Sequence, residues 1–163
     1  MSYAIIRNEK KKMSDLGGMY KHNHRLYKNS SNKDIDFSKT KDNYFIKKSP
    51  ISFTQEVHKL IEKYNLLGTT KMIKKNRVVA CEMIVTSDND FFNSISIEDE
   101  RRYFQEAFNF IAEYKGLGEE FILEAVVHKD EKEPHMHIAF LPVMHKLDTE
   151  SGKEIIKLDS SGY

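Results

Sequence analysis

An α+β domain is predicted by three features of the sequence. Two segments carry apolar residues at helical spacing, and several others are short β-rich runs. Two pairs of those runs are joined by connections short enough for antiparallel hairpins. At 163 residues the chain fits one domain with a continuous hydrophobic core.

The elements follow in order. Residues 3–7 (YAIIR) are short and apolar enough for a first strand. Residues 8–50 are polar, with Gly17-Gly18 as a breaker and few periodic apolar positions, so the stretch reads as a long irregular segment with a functional role. Residues 54–65 form an amphipathic helix: Val57, Leu60, Ile61 and Tyr64 share a face, Ser52 or Thr54 caps it, and His58 lies beside the stripe on the surface. Residues 78–87 (VVACEMIVTS) read as a buried central strand. A second helix starts at Ser96, with Asp99 completing a capping box. It carries Phe104, Ala107, Phe108, Ile111 and Lys115 at helical spacing and stops at Gly116 or Gly118. Residues 121–128 and 135–143 pair as a hairpin, and a second hairpin turns at Ser151-Gly152.

Composition narrows the function classes. No apolar run approaches a membrane span and residues 1–12 lack the apolar stretch of a signal peptide, so a cytoplasmic protein without membrane contact is expected. Cys81 is the only cysteine, which excludes an intramolecular disulfide and a thiolate metal cage. The net charge of +1 hides an asymmetry: residues 1–80 hold 18 Lys and Arg against 7 Asp and Glu, and residues 81–163 hold 8 against 18. The basic half is a candidate polyanion surface. Its interleaved Tyr20, Tyr27, Phe37, Tyr44 and Phe45 suit stacking on single-stranded nucleic acid.

Five of the seven histidines lie in two stretches, KHNHR (21–25) and HKDEKEPHMH (128–137). Side chains alternate along a strand, so His135 and His137 share a face, and a hairpin brings His128 beside them. Three converging imidazoles leave coordination positions open, as a catalytic metal requires, although ligand type alone does not separate Zn, Mn, Fe and Ni. Asp130 and Glu131 lie in the connection.

Taken together, GGMYKHNHR, SNKDID, NYF, CEMIVTSDNDFF and HKDEKEPHMHIAFLP resemble, in order and spacing over residues 1–143, the Pre/Mob plasmid mobilisation and recombination proteins. These are the MobV relaxases of the HUH endonuclease superfamily, named for the His-hydrophobic-His pair seen here as His135-Met136-His137. The resemblance implies an HUH relaxase-like central antiparallel sheet of about five strands with helices on its faces. It also implies a bacterial, cytoplasmic enzyme that nicks and rejoins single-stranded plasmid origin DNA while staying attached to the 5′ end. One Mn2+ or Mg2+ ion would be held by His128, His135 and His137, with no small-molecule cofactor. His22 would be the nucleophile through a phosphohistidine, Arg25 the clamp on the scissile phosphate, and Glu131 an orienting group or general base. Lys21, Asn23, Tyr44 and Tyr114 would contact DNA, with Tyr44 the rival nucleophile. Asn32, Lys33 and Asp34 match a family motif without evident chemistry.

Two departures stand out. His24 occupies a position where relatives often carry an acidic or polar residue, and is expected to face DNA or solvent. The chain is also shorter than family members, so residues 1–163 are expected to be a single catalytic domain lacking the C-terminal region used in oligomerisation, and self-association is not expected of it. Two other functions compete: a truncated relative that binds origin DNA without nicking, against which all the proposed catalytic residues remain present, and an unrelated three-His metallohydrolase, which would leave the basic, aromatic half without a purpose.

Overall fold

In a computed structural model describing residues 2–27, 32–69 and 72–163, the chain folds around a five-stranded antiparallel sheet. The elements are β1 (Ile5–Lys12), α1 (Leu16–Asn23), β2 (Tyr44–Lys47), α2 (Phe53–Lys63), β3 (Val78–Thr86), α3 (Asn89–Ser94), α4 (Ile97–Glu113), β4 (Ile122–His128), β5 (His135–Phe140), β6 (Val143–Leu147) and β7 (Glu154–Leu158). Strand order is β1-β3-β5-β4-β2, and β6 and β7 form a separate two-stranded sheet. The expected hairpins are both present, while β3 is one strand from the centre and β5 occupies it.

Register sorts the side chains onto two faces. His135 pairs with both Thr86 and His128, and His137 with Ile84 and Val126. Alternation therefore places Glu82, Ile84 and Thr86, with Glu124, Val126 and His128, on the same face as both histidines. Met83, Val85, Ala125, Val127, Met136 and Ile138 point to the other face, where the buried Phe104, Phe108 and Ile111 of α4 complete the core. On the histidine face α1 and α2 meet through an edge contact of Tyr20 with Phe53, ring centroids 5.2 Å apart.

Both serines cap their helices. Ser52 accepts from Gln55 N with a reciprocal bond, whereas Ser96 accepts from Asp99 N and gives its hydroxyl to the Asp99 carboxylate, so the expected capping box forms at Ser52 and not at Ser96. Other boundaries differ. Residues 8–50 are not irregular: β1 runs on to Lys12, and α1, a short 3-10 turn (Phe37–Asp42) and β2 follow. β1 is an exposed edge strand, so its polar second half carries no apolar alternation and, apart from Lys11, stays in water. Gly17-Gly18 lies inside α1 rather than breaking it. Lys115 lies past α4 with a left-handed φ of 55°, and the chain turns at Gly116 and Gly118. The strand expected over residues 135–143 ends at Phe140, and beyond Pro142 the chain joins the second sheet.

Candidate active site and metal centre

His128 closes β4 and His135 opens β5, so the hairpin sets them opposite each other, with His137 two residues along. Ring centroids are 5.5 Å apart for His128 and His135, 4.9 Å for His128 and His137, and 5.0 Å for His135 and His137. Each ring has one nitrogen fixed from outside: His128 Nε2 donates to the Asn23 carbonyl at 3.2 Å, His135 Nδ1 to the Glu133 carbonyl at 2.8 Å, and His137 Nδ1 to the Glu82 carboxylate at 2.9 Å. The opposite nitrogens are left for one another. Among the described residues, His128 Nδ1 and His137 Nε2 are buried without a hydrogen-bond partner. A buried imidazole with one nitrogen anchored and the other orphaned is the arrangement of a metal ligand, so these residues fit a divalent ion.

Glu131 and His22 complete the cluster. Glu131 Oε1 lies 3.8 Å from His22 Nε2, 3.9 Å from His128 Nδ1 and 3.8 Å from His135 Nε2. Those distances are beyond hydrogen bonding, so the expected orienting bond to His22 is not formed here. The His22 ring lies 5.3 Å from that of His128 and 5.1 Å from that of His137. Two donor sets result, each with all atoms within 4.8 Å: His22, His128 and His137, and His128, Glu131 and His135. The three ligands expected together are thus split across two overlapping sets. An open cleft of about 360 Å³ gives access, lined by His22, Asp34, Thr86, Glu131, His135 and His137 among others.

The charge states follow from burial. His22 has its pKa lowered to about 4 by desolvation, reinforced by its neighbours His137 and Arg25. His128 and His135 are lowered for the same first reason, then by His137. Burial alone would raise the Glu82 carboxyl, but the hydrogen bond from His137 and the nearby Lys11 outweigh it and its pKa is lowered. Neutral imidazoles beside an ionised carboxylate are the forms in which nitrogen lone pairs are available.

Arg25 is not a free phosphate clamp. Its Nε and one terminal nitrogen grip Asp130 at 2.9 and 2.7 Å, the latter also reaches Glu131 at 2.6 Å, and the other bonds the His22 carbonyl at 3.1 Å. That last nitrogen is 3.3 Å from His22 Nε2. The Arg25 side chain is 6% exposed and that of Asp130 fully buried, so the fork is spent inside the protein. A left-handed φ of 51° at Arg25 turns the chain back after α1 and aims the guanidinium at the β4–β5 connection.

The remaining expectations sort as follows. Asn23 is buried and works from inside: its carbonyl anchors His128 and its amide reaches Glu124 at 3.4 Å. Tyr44 pairs with Val127 and so points to the α4 face, where Arg101 covers its ring at 4.3 Å and its buried hydroxyl has no partner. It can serve neither as nucleophile nor as an open stacking platform. Tyr114 packs beside Tyr163, which contacts Phe140 at the far end of β5 from His135. Lys21 is exposed beside His22, near the ring of Tyr27. Of the interleaved aromatics, Tyr27 and Phe37 are the exposed pair near His22, at 44% and 45%. His24 does not face solvent or DNA but is bonded to Glu124. Asn32 reaches Glu131 at 3.3 Å and Asp34 lines the cleft, which gives that motif a place in the site, while Ser31 lies outside the described residues. Glu82 and Glu124 are site positions not anticipated from the sequence, where the signal is a lone acid inside each otherwise apolar strand; Asp130, noted in the connection, binds Arg25.

Comparison with known proteins agrees with this geometry. The family model described as plasmid recombination enzyme (Mob_Pre) matches residues 1–159. The plasmid recombination enzyme type 2 of Staphylococcus aureus is 38% identical over 144 residues, covering 88% of this chain and 33% of its own length. The plasmid recombination enzyme of Bacillus thuringiensis is 35% identical over 162 residues, covering 96% and 35%. The chain thus spans about a third of the curated relatives it matches. Among solved structures, a Mn-bound MobM relaxase domain in complex with plasmid pMV158 oriT DNA superposes with a TM-score of 0.81 at 34% identity, covering 98% of this chain and 76% of that one. Fold, ordered motifs and family match converge, and the chain belongs to the Pre/Mob plasmid recombination enzymes, the MobV family of relaxases.

Proposed function

We propose that this chain is a relaxase catalytic domain that nicks and rejoins one strand of plasmid origin DNA, with His22 as nucleophile. The observation that carries this reading is the approach of a neutral, partly exposed imidazole to the buried His128 and His137, in a three-histidine cluster whose outer nitrogens are all anchored. His128, His135 and His137 would hold Mn2+ or Mg2+, which supplies electrophilic polarisation of the phosphate when bound. His22 attacks phosphorus through one ring nitrogen; the N–P bond forms as the bond to the 3′ oxygen breaks, the other ring nitrogen gives up its proton and the departing oxygen takes one up, leaving a 3′ hydroxyl and a 5′ phosphoramidate. Attack by that hydroxyl reverses the step. Arg25 holds Glu131 and Asp130 in place and presses on the His22 ring, so its role is positioning. Lys21, Tyr27 and Phe37 present a cation and two exposed rings to a single strand beside His22.

The test is one labelled single-stranded origin oligonucleotide with Mn2+. An acid-labile covalent adduct, absent in His22→Ala and retained in Tyr44→Phe, is expected. Binding without a nick would instead favour the origin-binding module, and an acid-stable adduct lost in Tyr44→Phe would overturn the histidine nucleophile.

A further inference from the structure

His24, singled out in the sequence and unused so far, sits in a nearly enclosed polar contact, its side chain 10% exposed against a fully buried Glu124. Glu124 is a fully buried acid on β4, on the same sheet face as His128. Its carboxylate takes His24 Nε2 at 2.7 Å, the Ser49 backbone N–H at 3.2 Å and the Asn23 amide at 3.4 Å. The His24 ring stacks on Tyr20 at 4.1 Å and meets Phe45 at 5.1 Å, so both its faces and its tip are held. The same turn of chain touches β4 a second time, where the Asn23 carbonyl accepts from His128 Nε2.

We propose that the His24–Glu124 pair is a latch that fixes the last turn of α1 and thereby aims His22, which makes His24 a positioning residue for strand transfer. The proposal rests on the reading of His22 as nucleophile. Two apolar side chains of similar volume would hold the turn down as firmly, because buried ion pairs rarely stabilise more than packing does. They would leave its rotation about the helix axis free. A hydrogen bond has direction, and the two that this turn sends to one carboxylate, from His24 and Asn23, set that rotation, while the Ser49 N–H holds the carboxylate itself. His22 is two residues upstream of the latched ring, and Arg25, the next residue downstream, is pinned to Asp130. The turn is thus clamped at the sheet floor and at the β4–β5 connection, with His22 facing the three-histidine cluster.

The experiment compares His24→Leu, which fills the space without the bond, with His24→Gln, whose Nε2 can donate where the imidazole did. In single turnover with origin oligonucleotide and saturating Mn2+, the Leu variant should form adduct roughly 100-fold more slowly, since a displacement of about 1 Å suffices for that loss. Its affinities for the oligonucleotide and for Mn2+ should stay within about 3-fold of wild type, the signature of an effect on the reacting geometry alone. The Gln variant should recover most of the rate. If the Leu variant fails to fold, His24→Asn replaces it: one methylene shorter than Gln, it should be slow where Gln is fast. Equal rates for the paired variants, wild-type rates in Leu, or parallel loss of Mn2+ or DNA binding overturns the latch. Wild-type protein that forms no adduct, or an adduct surviving in His22→Ala, defeats the nucleophile reading itself and is separately visible.

Discussion

Replacing Arg25 by Ala should destabilise the protein with neither DNA nor metal present. Asp130 has no exposed side-chain surface and receives two bonds from Arg25 at 2.7 and 2.9 Å, so deletion leaves a buried carboxylate held by the uncharged Thr40 and Asn43 side chains, without its cation. Burial disfavours the charged form of Asp130, and its lowered pKa comes chiefly from the Arg25 and Thr40 hydrogen bonds. Removing one partner of such a pair costs about 3 to 5 kcal/mol. For a domain of this size that is a fall in Tm of roughly 6 to 20 °C. Differential scanning calorimetry on the metal-free protein measures it, and Asp130→Asn in the same chain should recover part of the loss by removing the stranded charge. An Arg25→Ala protein that melts within about 2 °C of wild type while losing affinity for the oligonucleotide would refute the reasoning and restore Arg25 as a phosphate clamp.

Other consequences are open to measurement. His22 has a folded pKa of about 4 against an ordinary 6.5, so the unfolded chain binds its proton first; its contribution to stability is present above 6.5 and lost as pH falls toward 4. At saturating Mn2+, adduct formation should accordingly hold from pH 8 down past 6.5, and a midpoint near 6.5 would contradict this environment. Glu82→Ala removes the acceptor that fixes His137 Nδ1 and should weaken Mn2+ binding about 10- to 100-fold by direct titration; unchanged affinity would mean that His137 is not a ligand. Tyr44→Phe deletes a buried hydroxyl without a partner, so Tm should stay level or rise, by the equivalent of about 1 kcal/mol, with adduct yield unchanged.

The parts of this fold legible in the sequence are those where one physical signal dominates. Ser52 and Ser96 mark helix starts because a side-chain oxygen must satisfy an orphan N–H there, and His135 and His137 share a face because strands alternate. The failures cluster where two signals compete. Residues 8–12 are polar, yet they form an edge strand whose side chains other than Lys11 stay in water, so hydrogen bonding to β3 rather than apolar burial holds them. α1 contains two glycines and a weak apolar face, and tertiary contacts, not propensity, keep it helical. Tyr44 was assigned by analogy of residue type, and only register shows which side of the sheet it occupies.

The histidine face of the sheet explains why its chemistry was half hidden. Its strands place Glu82, Glu124, His128, His135 and His137 among apolar neighbours, and Asp130 lies just past the end of β4. None of these acids is spaced from the histidines in any pattern that sequence alone makes meaningful, because each reaches its partner across strands or through α1. Glu82 fixes His137, Glu124 holds His24 and Asn23, and Asp130 holds Arg25. A buried carboxylate is unfavourable unless paired, so each acid on an apolar strand is itself a demand for a cationic or hydrogen-donating partner. In this chain all three demands are met by residues belonging to the site: the histidine centre for Glu82, and the turn following His22 for the other two. The acids that look misplaced in the sequence are therefore the supports on which the proposed nucleophile and the proposed metal ligands stand.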